Sequence, residues 1–309
     1  MSLTTFLNAM PGAVAQGLIW GIMAIGVYIT YKVLDIADLT VDGSMCTGGA
    51  VCAMMMISGH GVAVSLIVAV LAGMLAGLVT GIFHTFMGIP AILAGILTQL
   101  SLYSINLKIM GKANVALSVR NYDVLVSLNY IRNVPFYKNT ILVVAIFVVV
   151  LIAFLYWYFG TEMGCGVRAT GNNLNMARAQ GINTNFYKVF GLVISNGIVA
   201  LSGALLAQYQ GFADVNMARG AIVIGLAAVI IGQALFGRLL RGNFALKLLR
   251  VALGGIVYFI VYQTVILAGL DPDLLKMLSA VVVAIFLAVP YWKTKYFTKP
   301  SIKGGKDNA

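Results

Sequence analysis

Apolar runs of about twenty residues alternate with short polar breaks along almost the whole chain, a pattern that predicts a bundle of membrane-crossing helices. The clearest run, Ile141 to Leu155, contains no polar residue and is closed by the interfacial cluster Tyr156, Trp157, Tyr158 and Phe159. By the same rule, spans fall at about 12–31, 36–57, 61–83, 89–109, 139–159, 187–210, 221–240, 246–268 and 274–291. The second is expected to be broken, and the seventh to break near Gly232 and Gly237. The fold class expected is therefore an all-α polytopic membrane protein of about nine transmembrane helices, some of them broken, in one domain over residues 1–309.

Composition agrees, because 61% of the residues are hydrophobic and only 9% are charged, a balance that few soluble domains reach. Cys46, Cys52 and Cys165 have no paired spacing, so neither a disulfide framework nor a zinc site is indicated. The N-terminal MSLTTFLNAMPG has no basic region and no cleavage site, so the first span is expected to be retained. The net charge of +11 points to membrane topology and anionic lipid rather than to nucleic acid. Placing the basic tail, residues 292–309, in the cytoplasm puts the N-terminus outside and 13 of the 20 basic residues inside. The basic segment from Lys108 to Lys138 then lies outside, against the trend.

Catalytic signatures are missing. The chain has no GxxxxGK[ST] phosphate loop, no GxSxG and no HExxH, and His60 and His84 stand without neighbouring metal donors. No cofactor, no bound metal and no enzymatic activity of its own are expected.

Sliding the sequence by 176 residues reveals a repeat. Ala37-Asp38-Leu39-Thr40-Val41 falls on Ala213-Asp214-Val215-Asn216-Met217, and Gly21-Ile22 on Gly197-Ile198. In the nine-span topology the halves, about 12–109 and 187–291, enter the membrane in opposite directions, which is the inverted repeat of many transporters. Convergent turn chemistry between apolar helices is the other explanation. Asp38, Thr40, Asp42 and Ser44 gather at the first break, with Asp214, Asn216 and Arg219 as their counterparts. An intramembrane aspartate costs about 3 kcal/mol on insertion scales, so these residues either border a translocation pathway or form a surface loop whose acids cap helices.

One long polar interruption, Thr161 to Lys188, separates two of the spans. Asn172 or Asn173 can cap a helix over about 174–180 that ends at Gly181, with Arg168 and Arg178 beside it and small Ala177 and Ala179 available for a partner's approach. A partner-docking helix and an amphipathic loop resting on headgroups are the two readings.

The order Thr161, Gly164, Arg168-Ala169, Gly171-Asn172, Ala177, Gly181-Ile182-Asn183 resembles the cytoplasmic coupling segment of bacterial ABC importer permeases of the branched-chain amino-acid and ribose type. The DLTVDGSMCTGGAV stretch after Trp20 resembles that family's first conserved region. Two departures stand out: Asn173-Leu174-Asn175-Met176 replaces the usual small residue before the helix, and Arg178 replaces a common second alanine. The resemblance implies a type II ABC importer-like fold in the bacterial plasma membrane, with inverted halves on either side of a coupling segment at 160–187. It implies three partners: a second permease copy, identical or similar; an ABC ATPase subunit; and an extracytoplasmic substrate-binding protein. It further implies that Glu162, Gly164, Arg168, Ala169, Gly171, Asn172, Ala177, Arg178, Gly181 and Ile182 meet the ATPase. Arg120 and Arg132 would then receive the binding protein. The imported solute is expected to be small and polar, most of all an amino acid. The rival reading is a stand-alone ion-coupled transporter that uses Asp38 and Asp42.

Overall fold

A computed structural model describes residues 3–118, 122, 124–131, 139–240 and 242–267, with six scattered positions between 277 and 288. The helices are α1 (Leu3–Tyr28, continued by a π turn Ile29–Val33), α2 (Val41–Ile57), α3 (Val62–Thr85), α4 (Ala91–Met110) and α5 (Thr140–Gly160), then α6 (Glu162–Asn172), α7 (Leu174–Ala179), α8 (Thr184–Gln210), α9 (Ala221–Phe236) and α10 (Phe244–Leu267). Two three-residue strands, β1 (Asn114–Ala116) and β2 (Phe212–Asp214), pair antiparallel with Asn114 opposite Asp214. Most of the ninth predicted span, the tail 292–309, Arg120 and Arg132 lie outside the described residues.

Among the described residues, six helical stretches are long and apolar enough to cross a membrane: Ala9–Val33, Val62–Thr85, Ala91–Met110, Thr140–Gly160, Thr184–Gln210 and Phe244–Leu267. Their burial differs in a way that sets the architecture. In the first and fifth, 83% and 72% of the apolar window is buried, against 22% in Thr140–Gly160. Thus α1 and α8 form the centre, and the outer helices present leucine, isoleucine and valine outward as lipid requires. α10 packs along α1, α3 packs along α8, and α2 packs against both α8 and α3. Close approach depends on glycine here: a Cβ at Gly48 would overlap the Ala200 backbone, and one at Gly203 would overlap the Met45 carbonyl.

α2 and α9 are shorter, at 17 and 16 residues. At 1.5 Å per residue each is about 25 Å long, less than the roughly 30 Å hydrocarbon core. Irregular backbone precedes both. The second predicted span was placed from residue 36, but its helix begins only at Val41, and residues 34–40 run non-helically with Leu34, Ile36, Asp38 and Thr40 turned into the protein. The break expected at Gly232 is corrected: α9 runs unbroken through it, and Gly232 serves the contact with α10, where a Cβ would overlap the Arg250 carbonyl. The helix ends at Phe236, before Gly237. α1 starts earlier and α8 three residues earlier than predicted.

Candidate functional site

Three polar constructions occupy the places where the apolar pattern breaks. The first is closed. Asp38 is only 2% exposed, accepting from the Thr40 amide at 2.9 Å and from Asn196 Nδ2 at 2.7 Å. Ser44 Oγ donates to Asn196 Oδ1 at 2.7 Å, so one α8 carboxamide ties the turn to the start of α2. Thr40 Oγ1 lies 2.7 Å from Thr80 Oγ1, which lies 2.9 Å from Thr98 Oγ1, extending the network to α3 and α4. Each polar atom finds a protein partner, as the low dielectric demands. A solvated surface loop is ruled out for Asp38 by its burial.

The second construction joins the two short helices. Asp42, in the first turn of α2, accepts from the backbone N–H of Gly220 at 2.8 Å and of Ile222 at 3.0 Å, and so caps α9 from 178 residues away. A carboxylate at that helix N-terminus satisfies orphan amides and opposes the positive end of the dipole. Gly220 reaches this position through a left-handed φ of 86°. Beside the cap is a cleft of about 120 Å³ bordered by Asp42, Gln99, Tyr103, Asn106, Asn216 and Arg219.

The seven predicted pathway residues therefore separate. Asp38, Thr40 and Ser44 enter the closed network; Asp42, Asn216 and Arg219 border the cleft; Asp214 does neither. Its Oδ1 accepts from the Asn216 amide at 2.7 Å and its Oδ2 from Asn114 Nδ2 at 3.2 Å, holding the turn after β2 to the β1 segment. Asn196, Thr80, Thr98, Gln99 and Asn106 were missed. The available signal was a polar residue in each apolar helix with no charge nearby, too common to single out without the tertiary contacts.

The third construction is the insert, where two helices stand in place of the one expected. Thr161 starts α6, its Oγ1 accepting from Gly164 N at 3.4 Å and donating to the Tyr158 carbonyl at 2.6 Å. The glycines of α6 face inward because the space is filled: a Cβ at Gly164 would overlap Phe159, one at Gly166 the Tyr187 ring, and one at Gly171 the Val33 carbonyl. Val167 and Thr170 are buried on the same face, whereas Glu162, Arg168 and Asn172 are exposed. Asn173 Oδ1 accepts from Met176 N at 3.0 Å to cap α7, and Gly181 closes it with φ 78° while Ile182 N donates to the Ala177 carbonyl. Arg178 Nε donates to Thr184 Oγ1 at 3.1 Å.

The role expected for Ala177 needs correction. It is 3% exposed and packs inward, so its small size serves the fold and not a partner's approach. α7 presents Asn175, Met176, Arg178 and Ala179 outward, and Met176, 62% exposed, is the large apolar residue among them.

The model of the family described as branched-chain amino acid transport system / permease component matches residues 10–289. The chain belongs to that family. The permease is 38% identical over 283 residues to the tyrosine transport system permease protein of Clostridioides difficile strain R20291, covering 91% of each chain. It is 27% identical over 273 residues to the galactofuranose transporter permease protein YtfT of Escherichia coli K12, covering 87% of this chain and 75% of that protein. Among solved structures it resembles PsaBC from Streptococcus pneumoniae in complex with Fab, with a TM-score of 0.53 at 16% identity, covering 95% of this chain and 100% of that chain; this likeness concerns the fold alone. The permease is thus an all-α, multi-pass inner-membrane component of an ABC importer.

Proposed function

We propose that this permease is the translocating subunit of an ATP-driven importer of a small polar solute, an amino acid in particular. Two permease copies form the membrane unit. A separate ABC ATPase drives it from the cytoplasm and an extracytoplasmic binding protein delivers the solute, with the N-terminus outside and the C-terminus inside. The similarity to a tyrosine transport permease supports an amino-acid substrate.

The observation that carries the mechanism is the seat of α6 on the break after α1. Gly171 lies against Val33 and Leu34, and the chain runs from there through residues 34–40 to Asp38, which Asn196 holds to α8. A push on α6 and α7 therefore arrives at the central helices through packed backbone, without a flexible linker. Next to α6 a cleft of about 740 Å³ bordered by Lys32, Arg168 and Lys247, with Asp35 as its one acid, suits acidic groups of the ATPase.

Support for inverted halves comes from packing. Under the 176-residue shift α1 corresponds to α8, α2 to α9 and α3 to α10, and the first helix of each half packs along the third helix of the other. The starts of both short helices meet at Asp42. Half-helices whose N-termini converge inside the membrane are where transporters hold their cargo.

The test is ATP hydrolysis and solute uptake by the assembled importer carrying Met176→Asp or Ala179→Trp. Both should lose uptake at least tenfold and release hydrolysis from control by the permease, at unchanged membrane levels. Normal uptake in both variants refutes the coupling role.

A further inference from the structure

Asn106 is the residue that the polar interior leaves unexplained. It is 1% exposed, it borders the cleft between α2 and α4, and neither its Nδ2 nor its Oδ1 has a hydrogen-bond partner among the described residues. An unpaired buried carboxamide is destabilising, whereas a leucine of similar volume would carry no such penalty. Its partner must then come from beyond the described residues, and the cleft it borders is where one can enter.

The cleft says what kind of partner fits. Its volume of about 120 Å³ has room for several waters or for the polar end of a small solute. The wall carries one carboxylate, Asp42, and one guanidinium, Arg219, with the carboxamides of Gln99, Asn106 and Asn216 and the phenol of Tyr103 between them. Asp42 accepts two amides but retains lone pairs for a third donor. A neutral sugar would bring no charge to Asp42 or Arg219, and a simple cation or anion would answer only one. A zwitterion answers both. At the rim, Leu100 is 64% and Tyr103 46% exposed, leaving apolar surface where a side chain can extend.

We propose that this cleft is a solute subsite inside the permease that binds the zwitterionic head of a free α-amino acid, with the carboxylate toward Arg219 and the ammonium toward Asp42 and Asn106 Oδ1. The proposal rests on the importer reading above and deepens it. Selection of the amino acid then occurs in the membrane subunit as well as at delivery.

The experiment is equilibrium binding of labelled L-tyrosine and L-leucine to the full-length permease in lipid nanodiscs, competed by N-acetyl-L-tyrosine, L-tyrosine methyl ester and glucose. At least one free amino acid should bind, and either blocked derivative should compete at least tenfold more weakly than the free form. Asn106→Leu should raise the melting temperature of the unliganded permease and weaken binding at least tenfold; Arg219→Gln should weaken binding similarly. Equal competition by blocked and free forms, wild-type binding by Asn106→Leu, or no binding of either amino acid overturns the subsite. ATP-driven uptake by the assembled importer separates the two ideas. Wild-type uptake together with unchanged uptake by Asn106→Leu at subsaturating solute sinks the subsite alone, while absence of ATP-driven uptake by the wild-type assembly sinks the importer reading.

Discussion

Asp38 and Asp214 build the same turn and live in different surroundings. Each lies 176 residues from the other, and each carboxylate accepts from the backbone amide two residues on, Thr40 in one case and Asn216 in the other. Asp38 is buried and bonded to α8, whereas Asp214 is partly exposed and bonded to a strand-like segment at the end of the helices. Local chemistry fixed the turn in both; burial decided what else the carboxylate must do. In water the aspartate needs only its turn, but inside the protein its second oxygen has to be satisfied, and Asn196 does that.

That contrast can be broken by substitution. The largest effect is expected from Asp38→Leu, which strands the Asn196 amide and the Thr40 N–H in an apolar core; a loss of about 3 kcal/mol or more follows from two buried unmade bonds. It should appear as a collapse of the melting temperature in detergent, and Asp38→Asn should recover part of it. Asp42→Ala removes the cap of α9 and should cost about 1–2 kcal/mol, with faster hydrogen exchange at Gly220 and Ile222 than at amides of mid-helix α9. Asp214→Ala should cost less than about 1 kcal/mol, because water can replace an exposed acceptor. A melting temperature lowered more by Asp214→Ala than by Asp38→Leu would reverse the assignment of which turn is central.

The sequence carried the helices well and their irregularities poorly. Of the nine spans expected, six coincide with helices long and apolar enough to cross a membrane among the described residues, because length and hydropathy mark such a span. The 176-residue shift sets Asp38 beside Asp214, and both carboxylates accept from the amide two residues on, since turn chemistry is local. Burial is not local, so the same alignment could not distinguish a sealed aspartate from a partly exposed one. Gly232 misled for a related reason: in a soluble helix it would mark weakness, but here it admits the backbone of α10. In the insert, three glycines hid α6 from a propensity-based reading. Their i, i+2 and i+7 spacing at Gly164, Gly166 and Gly171 makes sense only once Phe159, Tyr187 and Val33 are seen on the other side. Ala177 was placed on the right helix and the wrong face, because one turn and a half is too short to define an apolar stripe.

The same contacts lead to a direct test of transmission from α6 and α7 to the Asp38 turn. Spin labels at Asn175 and Asp35, both exposed, and at Asn175 and Leu100 would report two distances in the assembled importer, with exposed Cys165 replaced by serine and Cys46 and Cys52 left buried. Pulsed electron resonance should show the Asn175 to Asp35 distance unchanged by ATP, because the coupling segment and the turn move as one body, while the Asn175 to Leu100 distance shifts by several ångströms. A change between Asn175 and Asp35 with none between Asn175 and Leu100 would contradict transmission by this route.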